Sequence, residues 1–224
     1  MLKLNKNALL ATLVTLACVT FAGAASADPS TDIANSLNQV SLSYLSTAPS
    51  NSFVGNYNGA QAQVSYLGNA LYNSAYMEAD ASEATADVQS AINLNDYNYD
   101  VRAGKGYMVL RNVAVVPYAH IGHEVLTAAF DSSAADSYGA GAKALYSPMA
   151  RLVLSADLAA DHYSGDVSGA VATPEGLTTA ETVGIDYAIT SRIHLSAGYG
   201  HRAFSVGGSS ASDKIATIGI GMGF

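Results

Sequence analysis

The sequence has little cysteine, proline, tryptophan or charge. It contains one Cys, five Pro, no Trp and only 12% charged residues, although half of its residues are hydrophobic. After residue 27, no apolar run is long enough for a helix to span a bilayer. Cys18, the only cysteine, lies before that point, so we expect neither disulfides nor thiol chemistry in the rest of the chain. The composition therefore argues against a disulfide-stapled domain and against a bundle of membrane helices.

Basic residues are scarce as well. The chain has 10 Lys and Arg against 18 Asp and Glu, and 8 against 18, a net charge of −10, once Lys3 and Lys6 are set aside. Nucleic-acid binding needs a basic surface that neutralises phosphates. We therefore expect no nucleic-acid partner.

The N-terminus has the layout of a secretory signal peptide. Lys3 and Lys6 form a positive region, residues 8–24 are apolar, and Ala25-Ser26-Ala27 is a small-x-small cleavage site before Asp28. We predict that residues 1–27 are removed and that residues 28–36 form a short polar stub in the periplasm. The remaining residues, 37–224, are predicted to form one domain.

Apolar and polar residues alternate in ten separate runs of this domain, which is the period of a β-strand. The predicted strands are 37–46, 59–67, 71–80, 94–109, 113–125, 137–147, 151–163, 179–189, 193–203 and 214–224. A count of eight would require two alternating runs to be discarded. In the third run the phase stays open, because either Ala75 and Met77 or Tyr72 and Tyr76 could lie on the apolar face.

Short turns near residues 69, 111, 148 and 191 alternate with longer, acidic loops. Lipid offers no partner to backbone N–H and C=O groups, so a sheet that spans a membrane must close on itself. The pattern predicts an all-β fold, an antiparallel up-and-down transmembrane β-barrel. An even strand number places both termini at the short-turn, periplasmic side and the loops outside the cell.

The last eleven residues, Lys214 to Phe224, alternate most regularly. Ala216, Ile218, Ile220, Met222 and Phe224 share one face, and the opposite face is almost bare of side chains. This stretch resembles the closing strand of Gram-negative outer-membrane barrels, which the barrel-assembly machinery reads. With the signal peptide and the alternating strands, it makes the chain similar to small OmpA-like or opacity-type barrels. The resemblance implies an outer-membrane location in contact with membrane lipids and lipopolysaccharide.

The chain contains 14 Tyr, and many lie near the ends of the predicted strands on the apolar face. Amphipathic rings collect where a barrel meets the two headgroup layers. We predict two aromatic belts, built from Tyr44, Tyr66, Tyr97, Tyr99, Tyr107, Tyr138, Tyr146, Tyr187, Tyr199 and Phe224.

Charged residues and histidine alternate onto the opposite, lumen-facing side of the strands. The predicted lumen network comprises Asp100, Arg102, His120, Glu124, Lys143, Arg151, Asp157, Asp186 and Arg202. Residues of both signs occur at similar heights, so mutual pairing would fill and rigidify the interior. The alternative is a narrow polar path for small solutes, since ten strands enclose slightly more space than side chains fill in eight.

Two enzyme hypotheses come from resemblance to barrel enzymes. Omptin proteases also have ten strands with acidic residues and an Asp–His pair near the outer rim, and Glu78, Asp80, Asp161 and His162 lie at the tops of predicted strands. Asp161 and His162 are adjacent, however, so they point to opposite faces. The His194-Leu195-Ser196 spacing matches lipid A deacylases but lies near a predicted turn.

We therefore expect no catalytic centre, cofactor or metal site. The predicted function is a structural or surface-interaction role, adhesion included, with acidic surface loops and an unidentified surface ligand. The alternatives are a narrow channel for small solutes and an omptin-like protease.

Overall fold

The computed structural model describes residues 29–50, 56–68, 74–88, 92–127, 132–167, 176–206 and 209–224. The predicted signal peptide, the predicted turn near residue 69, Tyr72 and parts of the predicted loops lie outside these ranges.

One helix and ten strands make up the described structure. They are α1 (Pro29–Leu37), β1 (Gln39–Pro49), β2 (Tyr57–Leu67), β3 (Ser74–Val88), β4 (Ile92–Leu110), β5 (Val113–Thr127), β6 (Ser132–Met149), β7 (Leu152–Val167), β8 (Gly176–Ala188), β9 (Ile193–Val206) and β10 (Ser209–Gly223).

Each strand pairs antiparallel with its sequence neighbours, and β1 pairs with β10 to close the sheet. The predicted ten-stranded up-and-down barrel is confirmed, and the eight-stranded alternative is wrong. The closure is staggered, because strands in a barrel must tilt. The size of the stagger appears when the pairing register of Tyr44 is traced to β7 in both directions around the barrel. Through β2 to β6 the register leads to Asp166, and through β10 to β8 it leads to Leu154, twelve positions away.

Side chains alternate between the outside of the barrel and its lumen. Ile218 is 64% exposed and Ile220 is 53% exposed on the outer face, while their neighbour Thr217 lines the interior. The same contrast recurs around the barrel, so its outside carries large apolar side chains that would be costly to hydrate. A closed sheet with an apolar outer face satisfies its backbone internally and is a transmembrane barrel.

The strands continue further on the loop side than the alternation predicts. Residues 81–93, predicted as an acidic loop, are largely strand, because β3 reaches Val88 and β4 begins at Ile92. A membrane-spanning strand needs only about 9–11 residues, and β4 has 19. Beyond the apolar band both faces meet polar surroundings, so the backbone ladder continues after the apolar alternation ends.

The phase of the third predicted strand is now settled. Tyr76 is 1% exposed inside the barrel and Met77 is 57% exposed outside it, so Met77 and Ala75 belong to the outer face. Pro117 has no N–H to donate to the sheet, yet it pairs in register with Ala142 and no bulge forms between β5 and β6 there.

Helix α1, in the segment predicted as a polar stub, closes the turn end of the barrel. Its Ile33 and Leu37 are 0% and 4% exposed and belong to one buried cluster. The other members of that cluster are Leu67, Tyr76, Ala114, Val116, Tyr118, Leu145 and Val153. Asp32 lies in the first helical turn, where its negative charge interacts favourably with the helix dipole. It also accepts a hydrogen bond from the Arg151 backbone N–H. Within the described ranges, no helix is long and apolar enough to cross a membrane.

Candidate functional site

The lumen above α1 has two chemically different walls. Among the described residues, the charged side chains in the middle of the barrel, between the floor at α1 and the loop end, come from β3 to β7. The opposite wall, from β1, β2 and β8 to β10, is uncharged at this height and carries hydroxyls and amides such as those of Ser43, Gln61, Gln63, Thr182 and Thr217. Each side chain reaches the lumen because inward positions recur at every second residue.

Arg102 on β4 is the centre of the charged wall. Its Nε donates to Asp100 Oδ1 at 2.7 Å, and Nη1 lies 3.0 Å from Asp157 Oδ2 and 3.1 Å from Glu78 Oε1. The guanidinium also lies over the Tyr118 ring, 5.3 Å from its centroid. Arg102 therefore links β3, β4 and β7 across the interior, using the fork geometry that suits guanidinium to carboxylates.

Lys143 on β6 completes this cluster. Its Nζ donates to Glu78 Oε2 at 2.7 Å and to the Tyr76 hydroxyl at 3.1 Å. Tyr76 in turn donates to Glu78 Oε2 at 2.5 Å. Glu78, whose side chain is only 2% exposed, is thus held by two cations and a phenol, as a buried carboxylate requires.

His120 lies between two carboxylates. Its Nδ1 is 2.9 Å from Asp100 Oδ2, and its Nε2 is hydrogen-bonded to Asp161. An imidazolium, which carries an N–H on each ring nitrogen, is the form that donates to two carboxylates at once. His120, on β5, therefore joins Asp100 on β4 to Asp161 on β7.

Small residues on β6 make room for these contacts. A Cβ at Gly141 would come within 2.5 Å of the Tyr118 ring, whose hydroxyl donates to Asp157 Oδ1. A Cβ at Gly139 would collide with Asp161. The two glycines are needed because large side chains cross the lumen directly over them.

A second charged layer lies nearer the loop end. Arg202 Nη2 donates to Asp213 Oδ2 at 3.3 Å, and Nη1 lies 3.6 Å from Glu124. The guanidinium also stacks on Phe204, 4.6 Å from its ring centroid. Asp96 lines the same layer, so three carboxylates surround one cation.

A third polar group lies at the floor, beside α1. Asp186 Oδ1 is 2.8 Å from His194 Nδ1, and Gln39 Nε2 donates to the Ser36 carbonyl at the end of the helix. The floor therefore ties the helix to the barrel wall.

The predicted lumen residues thus fall into these three layers, with one exception. Arg151 has an exposed side chain and lies in the turn between β6 and β7, where its φ is 68° and its Nη1 reaches the Ile189 carbonyl at 3.5 Å. The prediction that Arg151 faces the lumen is wrong, because the chain turns there and strand alternation no longer applies.

Three acidic residues lie in the lumen although they were predicted to lie elsewhere. Glu78, Asp80 and Asp161 were predicted near the outer rim, but β3 and β7 continue beyond them and place them in the charged wall. The alternation of side chains along β3 and β7 would have predicted that all three face the lumen. His162 points outward and stacks against Tyr138, with ring centroids 5.0 Å apart. Asp161 and His162 therefore do not act together, as an omptin-like site would need.

The predicted aromatic residues are partly exposed. Seven tyrosines are between 37% and 56% exposed, namely Tyr44, Tyr66, Tyr107, Tyr138, Tyr146, Tyr187 and Tyr199. Tyr97, Tyr99 and Phe224 are half-buried. On the closing strand, Ala216, Ile218, Ile220 and Met222 are all exposed, and the backbone N–H of Phe224 donates to the Asn38 carbonyl.

The walls enclose a cavity of about 380 Å³ above α1. A second cavity of about 490 Å³ lies at the loop end and shares Asp96, Glu124 and Arg202 with the first. Among the described residues, nine carboxylates face the two cavities, against the three permanent cations Arg102, Lys143 and Arg202. The carboxylates are those of Glu78, Asp80, Asp96, Asp100, Glu124, Asp157, Asp161, Asp186 and Asp213. The lumen is therefore strongly acidic.

No protein-family model matches this chain, and no curated protein does so either. Solved structures similar to it include the translocator domain of the autotransporter NalP from Neisseria meningitidis (11% identity, 98% of this chain and 95% of that chain, TM-score 0.49). Others are Ail, the attachment invasion locus protein of Yersinia pestis (12%, 83% and 97%, 0.41), and the NanC porin (10%, 82% and 100%, 0.42).

At these identities and TM-scores the likeness supports no conclusion about this chain. The closed sheet and its apolar outer face, seen in the chain itself, make the protein a ten-stranded transmembrane β-barrel.

Proposed function

We propose that this protein has a structural or surface-interaction role in the outer membrane, adhesion included, and that its lumen is closed to ions at rest. The observation that carries the proposal is helix α1, whose Ile33 and Leu37 are buried in the turn end of the barrel. Nine residues of helix within a ten-stranded barrel leave little room for a hydrated ion. In this proposal the termini are periplasmic and the loops extracellular.

Two partners belong to the same proposal. The outward apolar side chains and tyrosines contact outer-membrane lipids and lipopolysaccharide, as their exposure on a closed barrel suggests. The closing strand, with its alternating apolar residues up to Phe224, is the segment that the barrel-assembly machinery binds. No catalytic role is proposed, since His162 and Asp161 face opposite sides of β7.

A narrow channel is the second candidate function. The excess of lumen carboxylates favours it, because such a lining would conduct cations in preference to anions once α1 moved aside. The two candidates differ in what the intact protein does in a bilayer.

Single-channel recording in planar bilayers separates them. We expect the wild-type protein to be silent and Ile33→Asp to open cation-selective steps, because a buried carboxylate would expel the helix from its apolar cluster. Thr31→Asp is the matched control: it adds the same charge to the half-buried first turn of the helix, where a carboxylate is tolerated.

Steady conductance by the wild-type protein would contradict the closed lumen and support the channel. Silence of both the wild type and Ile33→Asp, with the variant folded, would show that something other than α1 closes the barrel.

A further inference from the structure

The cavity above α1 has the dimensions and chemistry of a small-molecule site. Its volume of about 380 Å³ lies within the range of ligand pockets. One wall presents carboxylates and the other presents neutral hydroxyls and amides. A ligand that satisfies both walls carries a positive charge at one end and hydroxyl groups at the other.

Asp80 forms no ion pair within 4.0 Å among the described residues, although the more distant Arg102 attracts its charge. Asp80 lies directly opposite Asp100 in the β3–β4 register, so two carboxyl groups face each other. Asp100 is bound by both Arg102 and His120, whereas Asp80 accepts a hydrogen bond from the neutral Gln61. Like charges placed opposite each other are unfavourable, and a cation bound at Asp80 would relieve that repulsion.

Thr178 is an independent sign of a ligand. Its side chain is 5% exposed and lines the cavity, opposite Asp161 in the β7–β8 register. Within the described part of the chain its Oγ1 has no hydrogen-bond partner. A buried hydroxyl without a partner is costly, and a ligand hydroxyl or ammonium in the cavity would satisfy it.

We propose that this cavity binds a small polyhydroxylated organic cation, an ammonium compound of amino-sugar size, which enters from the loop end. Asp80 and the acidic wall bind the ammonium group, and Thr178 with the neutral wall binds hydroxyls. The outer cavity, with Asp96, Glu124 and Asp213 around Arg202, draws cations toward the inner one. The site does not depend on whether α1 ever leaves the barrel.

Isosteric sugars of different charge test the proposal. The full-length protein in detergent, in a Tris-free buffer at neutral pH, is titrated calorimetrically with glucosamine, glucose and glucuronate. We expect glucosamine to bind at least tenfold more tightly than glucose and glucuronate to show no binding, because lumen carboxylates repel it. Magnesium chloride in a parallel titration identifies a simple divalent-ion site.

Two near-isosteric substitutions locate the ligand. Asp80→Asn and Thr178→Val should each weaken glucosamine binding about tenfold, by removing a charge or a hydroxyl. Asp136→Asn and Thr179→Val are the controls, since Asp136 and Thr179 lie on the exposed outer face. Heat-modifiable gel mobility verifies that each variant is folded.

Equal binding of glucosamine and glucose, binding of glucuronate, or binding of magnesium without glucosamine would overturn the proposal. Glucosamine binding unchanged in both folded lumen variants would overturn it as well. The titrations of the wild type decide the ligand class even if a substitution prevents folding. Bilayer silence or conductance, the readout for the closed lumen, is independent of all these results.

Discussion

Arg102 is the residue on which most of the lumen depends. It contacts Glu78, Asp100 and Asp157, which lie on three different strands, and it also covers Tyr118. Its side chain is 23% exposed, whereas that of Glu78 is 2% exposed. If the guanidinium were removed, buried carboxylates would face each other with Lys143 and His120 as their remaining partners.

Arg102→Met should therefore destabilise the barrel by about 3 kcal/mol, the usual cost of stranding a buried charge. The measurement is urea unfolding of the protein in lipid vesicles. Arg192→Met, at an exposed turn, is the control and should change the unfolding free energy by less than about 0.5 kcal/mol. Equal stability of the two variants would mean that the lumen network contributes no net stability.

At the residue scale, the sequence predicts which face of a strand a side chain occupies, but not which residue it contacts. Alternation along the strands correctly predicts that Arg102, His120 and Lys143 face the lumen. It did not reveal that Tyr118 would reach Asp157 or that His120 would bridge two acids, because those contacts depend on the stagger between strands. Arg151 failed because alternation ends where a turn begins.

At the scale of elements, each strand separates lipid on its outer face from the polar lumen on its inner face. Ile185 on β8 faces outward and is 44% exposed, and Thr182 on the same strand lines the acidic lumen. A membrane-facing cation must be desolvated, whereas a lumen cation finds water and carboxylates.

Ile185→Lys should therefore lower the unfolding free energy by about 2–4 kcal/mol in lipid vesicles. Thr182→Lys places the same side chain three residues away and should cost far less. Equal losses, or a larger loss for Thr182→Lys, would contradict the assignment of the two faces of β8.

The elements also mark where sequence patterns stop being informative. Strand positions near the turns were predicted well, because apolar alternation continues to the turn in that part of the barrel. The loop-side extensions of β3 and β4 were missed, since a strand surrounded by polar groups on both faces leaves no alternation to read. Helix α1 was missed because Ile33 and Leu37 are its only large apolar residues, too few to separate a short helix from a polar linker.

For the whole molecule, closure of the sheet explains its composition. A closed barrel leaves no unpaired edge, so the outside can be apolar while polar and charged side chains fill the inside. The strand number followed from counting alternating runs and turns. The twelve-residue stagger could not be read from any local pattern, because it is fixed only when β1 pairs with β10 and closes the sheet.

Along each membrane-spanning strand, one side chain contacts lipid and the next faces the enclosed lumen. Single-cysteine variants at Leu195, Ser196 and Ala197, in a Cys18→Ser background and in lipid vesicles, each carry a spin label. Collision with oxygen, which concentrates in the bilayer, is compared with collision with a water-soluble nickel complex. We predict high oxygen accessibility at Leu195 and Ala197 and low oxygen accessibility at Ser196. Equal accessibility at all three positions, or labels at Leu195 and Ala197 that collide mainly with nickel, would contradict the lipid-facing assignment of this strand face.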